Sequence, residues 1–153
     1  MKVLIAADGS EYSDEAIDKF LELFKPEKLA IRIVSVAALP LLISEPYAGA
    51  IDMYPETEEA AREHAQAAIA KIESRIRERM GEMKTGELSS DVLIGSPARR
   101  ILEEAQSWKA DLIVAGSHGY GFWERMMLGS VSQSIAQHSP CSVLIVRGEK
   151  NSS

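Results

Sequence analysis

The chain has 153 residues, enough for one domain with a sizeable core, and 46% hydrophobic and 26% charged residues are ordinary for a globular protein. The formal net charge of −6 argues against a broad nucleic-acid surface or a polybasic membrane anchor, because both depend on clustered Lys and Arg. The one cysteine, Cys141, excludes an internal disulfide, and we expect it to be half buried. Without a signal-peptide pattern or a membrane-length apolar run, the sequence predicts a cytoplasmic protein.

The first third of the chain predicts two strands separated by a helix. The apolar run 2–7 predicts a buried strand, and the Asp-Gly-Ser sequence that begins at Asp8 is typical of a turn. Apolar residues at helical spacing follow, and Pro26 ends that helix. The β-branched run 29–36 predicts the second strand.

The middle of the chain predicts two more helices with a strand between them. Residues 58–80 form a long helix, because apolar side chains line one face and charged side chains the other. A weaker third strand is expected over 88–94. Ser96 and Pro97 then suit the N-cap and the first turn of a short amphipathic helix.

The last third predicts a buried strand over 111–115, a helix from about Gly129 to His138 and a final strand through Val146. Since strands and helices alternate, the expected fold is α/β: a single-domain, open five-stranded parallel sheet with helices on both faces. The domain covers residues 1–147, and 148–153 form a C-terminal tail. Ligands of such sheets bind beyond the carboxyl ends of the strands.

The loop after the fourth strand has the composition of a phosphate-binding loop. Gly116 and Gly119 allow a close approach of the backbone to a ligand and a positive φ. Gly129 and Ser130 open a helix whose free N–H groups attract anions, and the hydroxyls of Ser130 and Ser132 add donors. The alternative interpretation is an ordinary surface loop followed by a serine-capped helix.

The pattern Gly116-x2-Gly119-x9-Gly129-Ser130 resembles the nucleotide loop of the universal stress protein family. The segments ADLIVAGSHG and LGSVSQSIAQHSPCSVLIVR are similar to that family's C-terminal half. VLIAADGSEYS resembles its first strand and turn, and GSPARRILEEAQSWKADLIV its third helix and fourth strand. The resemblance covers residues 1–147 and is weakest between 37 and 60.

The resemblance implies a Rossmann-like domain of the adenine nucleotide alpha hydrolase type, which binds ATP, ADP or AMP and forms homodimers through its last strand. Mg²⁺ or Mn²⁺ would bridge the phosphates. The site residues that it implies are Ala6, Ala7 and Asp8 for the adenosine side, the backbone of Val36 for adenine, Ala115, Gly116 and Gly119 beneath the ribose and phosphates, and Gly129, Ser130, Val131 and Ser132 for the phosphates.

Two departures from the family pattern bear on the ligand. Tyr120 stands where a basic residue is frequent, which leaves one cation fewer for a γ-phosphate, and Ala115 stands where a larger apolar residue is frequent. The choice between ATP and ADP or AMP therefore stays open. Asp8 either contacts a ribose hydroxyl or a metal, or accepts hydrogen bonds within its own turn.

The sequence is compatible with three functions. The preferred one is a stress-response binding module that signals by its bound nucleotide, with at most slow ATP hydrolysis or autophosphorylation, because no general base or activated nucleophile is visible beside the loop. The second is an enzyme that uses ATP to adenylate a substrate, although basic residues are sparse near 116–132. The third is a protein-interaction module with an empty pocket, acting through 37–57.

The remaining motifs have weaker interpretations. His64 is expected to be solvated on the polar face of the long helix, and His118 to have a structural role in the loop, with a phosphate contact as the alternative. The apolar segment 37–57 is either a lid, a dimer contact or a flexible excursion. An apolar cluster is expected to pack the glycine loop onto the core, with a partner surface as the alternative; it comprises Phe122, Trp123, Met126, Met127 and Leu128.

Overall fold

The computed structural model of the protein describes residues 1–24, 29–38, 57–81, 87–119 and 128–148. Strands and helices alternate along this part of the chain, as predicted. The elements are β1 (Lys2–Ala6), α1 (Glu11–Leu23), β2 (Ala30–Ala37), α2 (Glu58–Met80), β3 (Leu88–Ile94), α3 (Pro97–Trp108), β4 (Leu112–Gly116), α4 (Ser130–His138) and β5 (Ser142–Val146).

The five strands form one parallel sheet in the order β3-β2-β1-β4-β5. β1 lies at the centre, and Val3, Leu4 and Ile5 are each at most 1% exposed because β1 has a strand on either side and helices on both faces. The strand order reverses between β1 and β4, so the crevice that parallel sheets use for ligands lies where these two strands end. The predicted α/β fold class is confirmed.

A separate apolar core lies on each face of the sheet. Alternate residues of β1 supply the two cores, with Val3 and Ile5 in the first and Leu4 in the second. The first core lies beneath α1 and α2 and contains Phe20. The second lies beneath α3 and α4, and Cys141 packs against it half buried, as predicted.

Charged side chains tie α1 to α2. Asp14 is buried on α1, and its Oδ2 forms ion pairs with Lys71 Nζ at 2.5 Å and Arg75 Nη2 at 3.5 Å. Arg75 Nη1 also lies 2.7 Å from Asp18 Oδ2. Because burial removes Asp14 from water, its two cationic partners offset the cost of desolvating the carboxylate.

The helix ends follow local chemistry. Ser10 and Thr57 are N-caps whose side chains accept hydrogen bonds from Ser13 N and Ala60 N. Ser96 is the N-cap of α3, with Pro97 in the first turn, but its side chain makes no capping bond. Among the described residues, no helix combines the length and apolar character needed to cross a bilayer.

Candidate functional site

The turn after β1 is held by its own side chains. Asp8 Oδ1 accepts hydrogen bonds from Ser10 N at 2.9 Å and from Ser10 Oγ at 2.5 Å. Gly9 has φ +81°, a conformation that glycine adopts without a Cβ penalty. Asp8 therefore does accept within its turn, which was one of the two roles expected of it.

The loop after β4 approaches this turn closely. A Cβ placed on Gly119 would lie 2.8 Å from Asp8 Oδ2, so the second carboxylate oxygen of Asp8 faces the backbone of Gly119 across the crevice. A Cβ on Gly116 would lie 2.7 Å from the backbone C and O atoms of Tyr12. Gly119 thus borders the crevice, whereas Gly116 allows β4 to pack against the first turn of α1.

The N-terminus of α4 closes the same end of the sheet. Gly129 is its N-cap and donates from its backbone N to Ser117 O at 2.8 Å. Ser132 Oγ donates to the same carbonyl at 2.8 Å and lies 3.0 Å from Gly129 O. The Ser132 hydroxyl is therefore directed at backbone carbonyls, while the exposed Ser130 lies at the first helical position.

Val36 borders the crevice from the β2 side. β1 and β2 pair as far as Ala6 with Val34, and Ala7 N donates to Val34 O at 2.9 Å. Backbone groups two residues apart in a strand point the same way, so those of Val36 point toward the gap where the chain leaves β1. Val36 is the residue whose backbone is predicted to contact adenine.

The remaining predicted residues lie at the ends of β1 and β4 and at the start of α4, where Val131 is partly buried against the second core. Ala7 is buried in the first core and Ala115 in the second, while Ala6 is half buried against the second. The expected positive φ of Gly116 and Gly119 is not found, because only Gly9, Gly81 and Gly95 among the described glycines have one. The two loop glycines are accounted for by close contacts and not by left-handed backbone.

Two histidines contact residues that border the crevice. His64 is exposed on α2, but its Nε2 also lies 3.1 Å from Asp8 O, a contact between residues 56 positions apart. His118 Nδ1 lies 2.9 Å from Ser117 Oγ, and its ring packs against Tyr12 with centroids 5.3 Å apart. Helical periodicity places His64 on a polar face but says nothing about the turn opposite it.

Several expectations fall outside the described residues. Tyr120 and four members of the apolar cluster, Phe122, Trp123, Met126 and Met127, belong to this group, as does most of the 37–57 segment. Leu128 is half buried. The expected lid and the missing phosphate cation therefore stay predictions.

A second concavity of about 460 Å³ lies between α3 and α4, away from the crevice. Arg99 and Glu103 line it, and Glu103 also pairs with the neighbouring Arg100: Arg99 Nε lies 2.8 Å and Arg100 Nη1 2.6 Å from the Glu103 carboxylate. These hydrogen bonds lower the pKa of Glu103 below its usual range.

The fold is a doubly wound α/β domain whose strand order reverses between β1 and β4. The profile of the universal stress protein family matches residues 1–147, and the chain belongs to that family. Universal stress protein YxiE of Bacillus subtilis is 32% identical over 146 residues, which cover 95% of this chain and 98% of that protein.

Two solved structures share the fold. A universal stress protein in complex with cAMP superimposes with a TM-score of 0.62 at 24% identity, covering 95% of this chain and 96% of its own. A universal stress protein family protein of Arabidopsis thaliana with AMP bound superimposes with a TM-score of 0.63 at 15% identity, covering 99% and 94%. At these identities the likeness concerns the fold.

Proposed function

We propose that this protein binds an adenine nucleotide in the crevice between the β1 turn and the N-terminus of α4, and acts as a cytoplasmic stress-response module that signals by its bound state. The observation that carries the proposal is the convergence of three backbone segments at the switch point: Asp8 opposite Gly119, the α4 N-terminus beside Ser117, and the end of β2. Two structures of the same fold, named above, contain AMP or cAMP.

The phosphates would bind at the N-terminus of α4. Its N-cap, Gly129, has no side chain that could cap the helix. The first intrahelical bond of the helix runs from Gln133 N to Gly129 O. The N–H groups of Ser130, Val131 and Ser132 precede that bond, so they and the helix dipole favour an anion. Ser130 would add its hydroxyl, whereas Ser132 would contribute its backbone.

The nucleoside would lie across the ends of β1 and β2. The backbone groups of Val36 point toward that gap and offer one donor and one acceptor, which is what an adenine edge requires. Ala6 and Ala7 would border the base with their backbone, since the Ala7 side chain is buried in the first core and the Ala6 side chain packs against the second. Asp8 Oδ2, beside Gly119, is the carboxylate oxygen within reach of a ribose hydroxyl.

A divalent cation would be held mainly through the phosphates. The described residues contain no group of three or more His, Cys, Asp or Glu side chains arranged around a metal ion. Mg²⁺ commonly keeps several waters and binds phosphates with one or two carboxylates. Asp8 would be that carboxylate for Mg²⁺ or Mn²⁺, in line with its position at the crevice.

The protein would form a homodimer through β5. This strand pairs with β4 on one side, and Val146 O accepts from Ser117 N, so the backbone groups of Ile145 point away from β4. Val143, Leu144 and Ile145 are half buried at this edge. An edge with unpaired backbone groups and apolar side chains suits pairing with a second copy of the same strand.

Calorimetric titration with ATP, AMP and cAMP, with and without Mg²⁺, tests the nucleotide site, and chromatography of the titrated ATP after several hours measures turnover. We expect binding of at least one adenine nucleotide, and loss of affinity by at least about tenfold in Gly119→Val and Gly129→Val. A side chain at Gly119 would press on Asp8 Oδ2, and one at Gly129 on the backbone of Ser117 and His118 beside the α4 N-terminus. Ala67→Val, on the exposed face of α2, is the control and should bind as the wild type does.

The outcomes separate the functions considered. A folded wild-type protein that binds none of the three nucleotides would overturn the proposal and favour an interaction module. Rapid conversion of ATP to AMP with an added substrate would favour an adenylating enzyme. Sedimentation velocity tests the dimer. Ile145→Pro should be monomeric, because proline removes an outward N–H that β4 does not use, whereas Ile145→Val should remain a dimer.

A further inference from the structure

We propose that His64 is a positioning residue of the crevice: its imidazole holds the peptide group between Asp8 and Gly9 in the orientation that the ligand needs. This inference rests on the proposed nucleotide site, because the orientation matters only if a ligand binds there. It adds a residue of α2 to a site otherwise built from the strand ends and α4.

The contact indicates which nitrogen of the histidine ring carries a proton. Nε2 of His64 lies 3.1 Å from the backbone oxygen of Asp8. A carbonyl oxygen can only accept a hydrogen bond, so the proton must be on Nε2. In a trans peptide the C=O and the following N–H point in opposite directions, so holding the Asp8 carbonyl also sets the direction of Gly9 N–H.

α2 keeps its place without this contact. Ala61 and Ala65 are buried in an apolar cluster with Ala37, and Lys71 and Arg75 pair with Asp14 of α1 further along the helix. His64 itself is exposed, and alanine is a better helix former than histidine. Removing the imidazole should therefore change the turn after β1 and leave the helix in position.

The turn has a second anchor that acts on a different group. Ser10 binds Oδ1 of the Asp8 side chain, whereas His64 binds the Asp8 backbone oxygen. Without the imidazole, the Asp8 carbonyl loses one of its constraints, and because glycine tolerates both signs of φ, the turn would be less ordered. A ligand would then have to reorder the turn, and its affinity would fall by about three- to tenfold, the worth of one such hydrogen bond.

Titration of AMP and ATP into three variants tests this role. We expect His64→Ala to bind three- to tenfold more weakly than the wild type, and His64→Gln to restore affinity, because the glutamine amide can donate from nearly the place of Nε2. Gln66→Ala, also exposed on α2, should leave affinity unchanged. The thermal midpoints of all three variants should stay close to that of the wild type, so a loss of affinity reports on the turn.

The results distinguish this inference from the proposed function. A wild-type protein that binds neither AMP nor ATP would overturn both. Wild-type binding with an undiminished His64→Ala variant, or with no rescue by His64→Gln, would overturn the role of His64 alone.

Nitrogen NMR of the ring is a readout that needs no nucleotide. At neutral pH we expect the proton of the neutral ring on Nε2, and we expect the Gly9 amide signal to shift in His64→Ala but not in Gln66→Ala. A proton on Nδ1, or an unmoved Gly9 signal in His64→Ala, would contradict the contact on which the inference depends.

Discussion

The two sides of the crevice are built by opposite means. On the β1 side, the turn is held by hydrogen bonds from side chains: Asp8 accepts from Ser10, and His64 reaches the Asp8 carbonyl from α2. On the β4 side, close approach depends on the absence of side chains, at Gly116 against Tyr12 and at Gly119 against Asp8. Removing polar side chains should therefore perturb the first side, whereas adding side chains at the glycines should perturb the second.

The sharpest test of this comparison is Gly116→Ala. Its new Cβ would lie 2.7 Å from the backbone of Tyr12, which cannot move aside as a flexible side chain could, so we expect destabilisation by about 3 kcal/mol. Urea denaturation measures it. In Gly129→Ala the nearest atoms lie 3.4 Å from the Cβ, and φ is −70°, so this matched variant should lose less than about 1 kcal/mol. Equal losses would mean that contact at Gly116 does not govern the packing of β4.

Ser10→Ala probes the hydrogen-bonded side. Ser10 is 5% exposed, caps α1 and donates to Asp8, so its removal should cost about 1–2 kcal/mol in denaturant unfolding. Thr57→Ala removes the exposed cap of α2 and serves as the comparison, with an expected loss of about 0.5–1 kcal/mol. A smaller loss at Ser10 than at Thr57 would show that the Asp8 contact adds nothing to the cap.

Ser132→Ala removes a polar contact from the glycine side, where we expect a smaller effect. The Ser117 carbonyl keeps its bond from Gly129 N, so losing the Ser132 hydroxyl should cost about 1 kcal/mol. Ser134→Ala, two residues further along α4 in a half-buried position, provides a baseline for the same replacement. A loss larger than that of Ser10→Ala would reverse the contrast between the two sides.

Asp8→Asn should have the smallest effect on stability. The amide keeps an oxygen that can accept from Ser10, so the free energy of unfolding should change by less than about 0.5 kcal/mol. Asp8→Ala, which removes both acceptors, should lose about 1 kcal/mol. If the two variants are equally stable, the hydrogen bonds from Ser10 to the Asp8 side chain add nothing measurable to stability.

The fold could be predicted from the sequence because it depends on local patterns. Continuous apolar runs predicted the buried strands, and the spacing of residues such as Ile69, Ile72 and Ile76 predicted the buried face of α2, which the structure confirms. The alternation of strands and helices then restricts the sheet to a parallel arrangement.

The detailed contacts of the site could not be predicted in the same way. The close approach of a ligand was the role predicted for Gly116, but the structure shows the backbone of Tyr12 at that position. His64 is exposed, as predicted, but its contact with a turn 56 positions away was not predicted. Both contacts depend on how a helix lies against a loop, and periodicity within one element carries no information on that.

The Ser117 carbonyl accepts from both Gly129 N and Ser132 Oγ. These bonds join the start of the glycine loop to the helix that follows it, so Ser117 and Gly129, the two ends of the loop, are held together. A change in length between the clamped ends would add little closure entropy and would leave α4 where it is. Related chains could therefore diversify this stretch, and engineers could insert a reporter peptide there, without rebuilding the sheet beneath it.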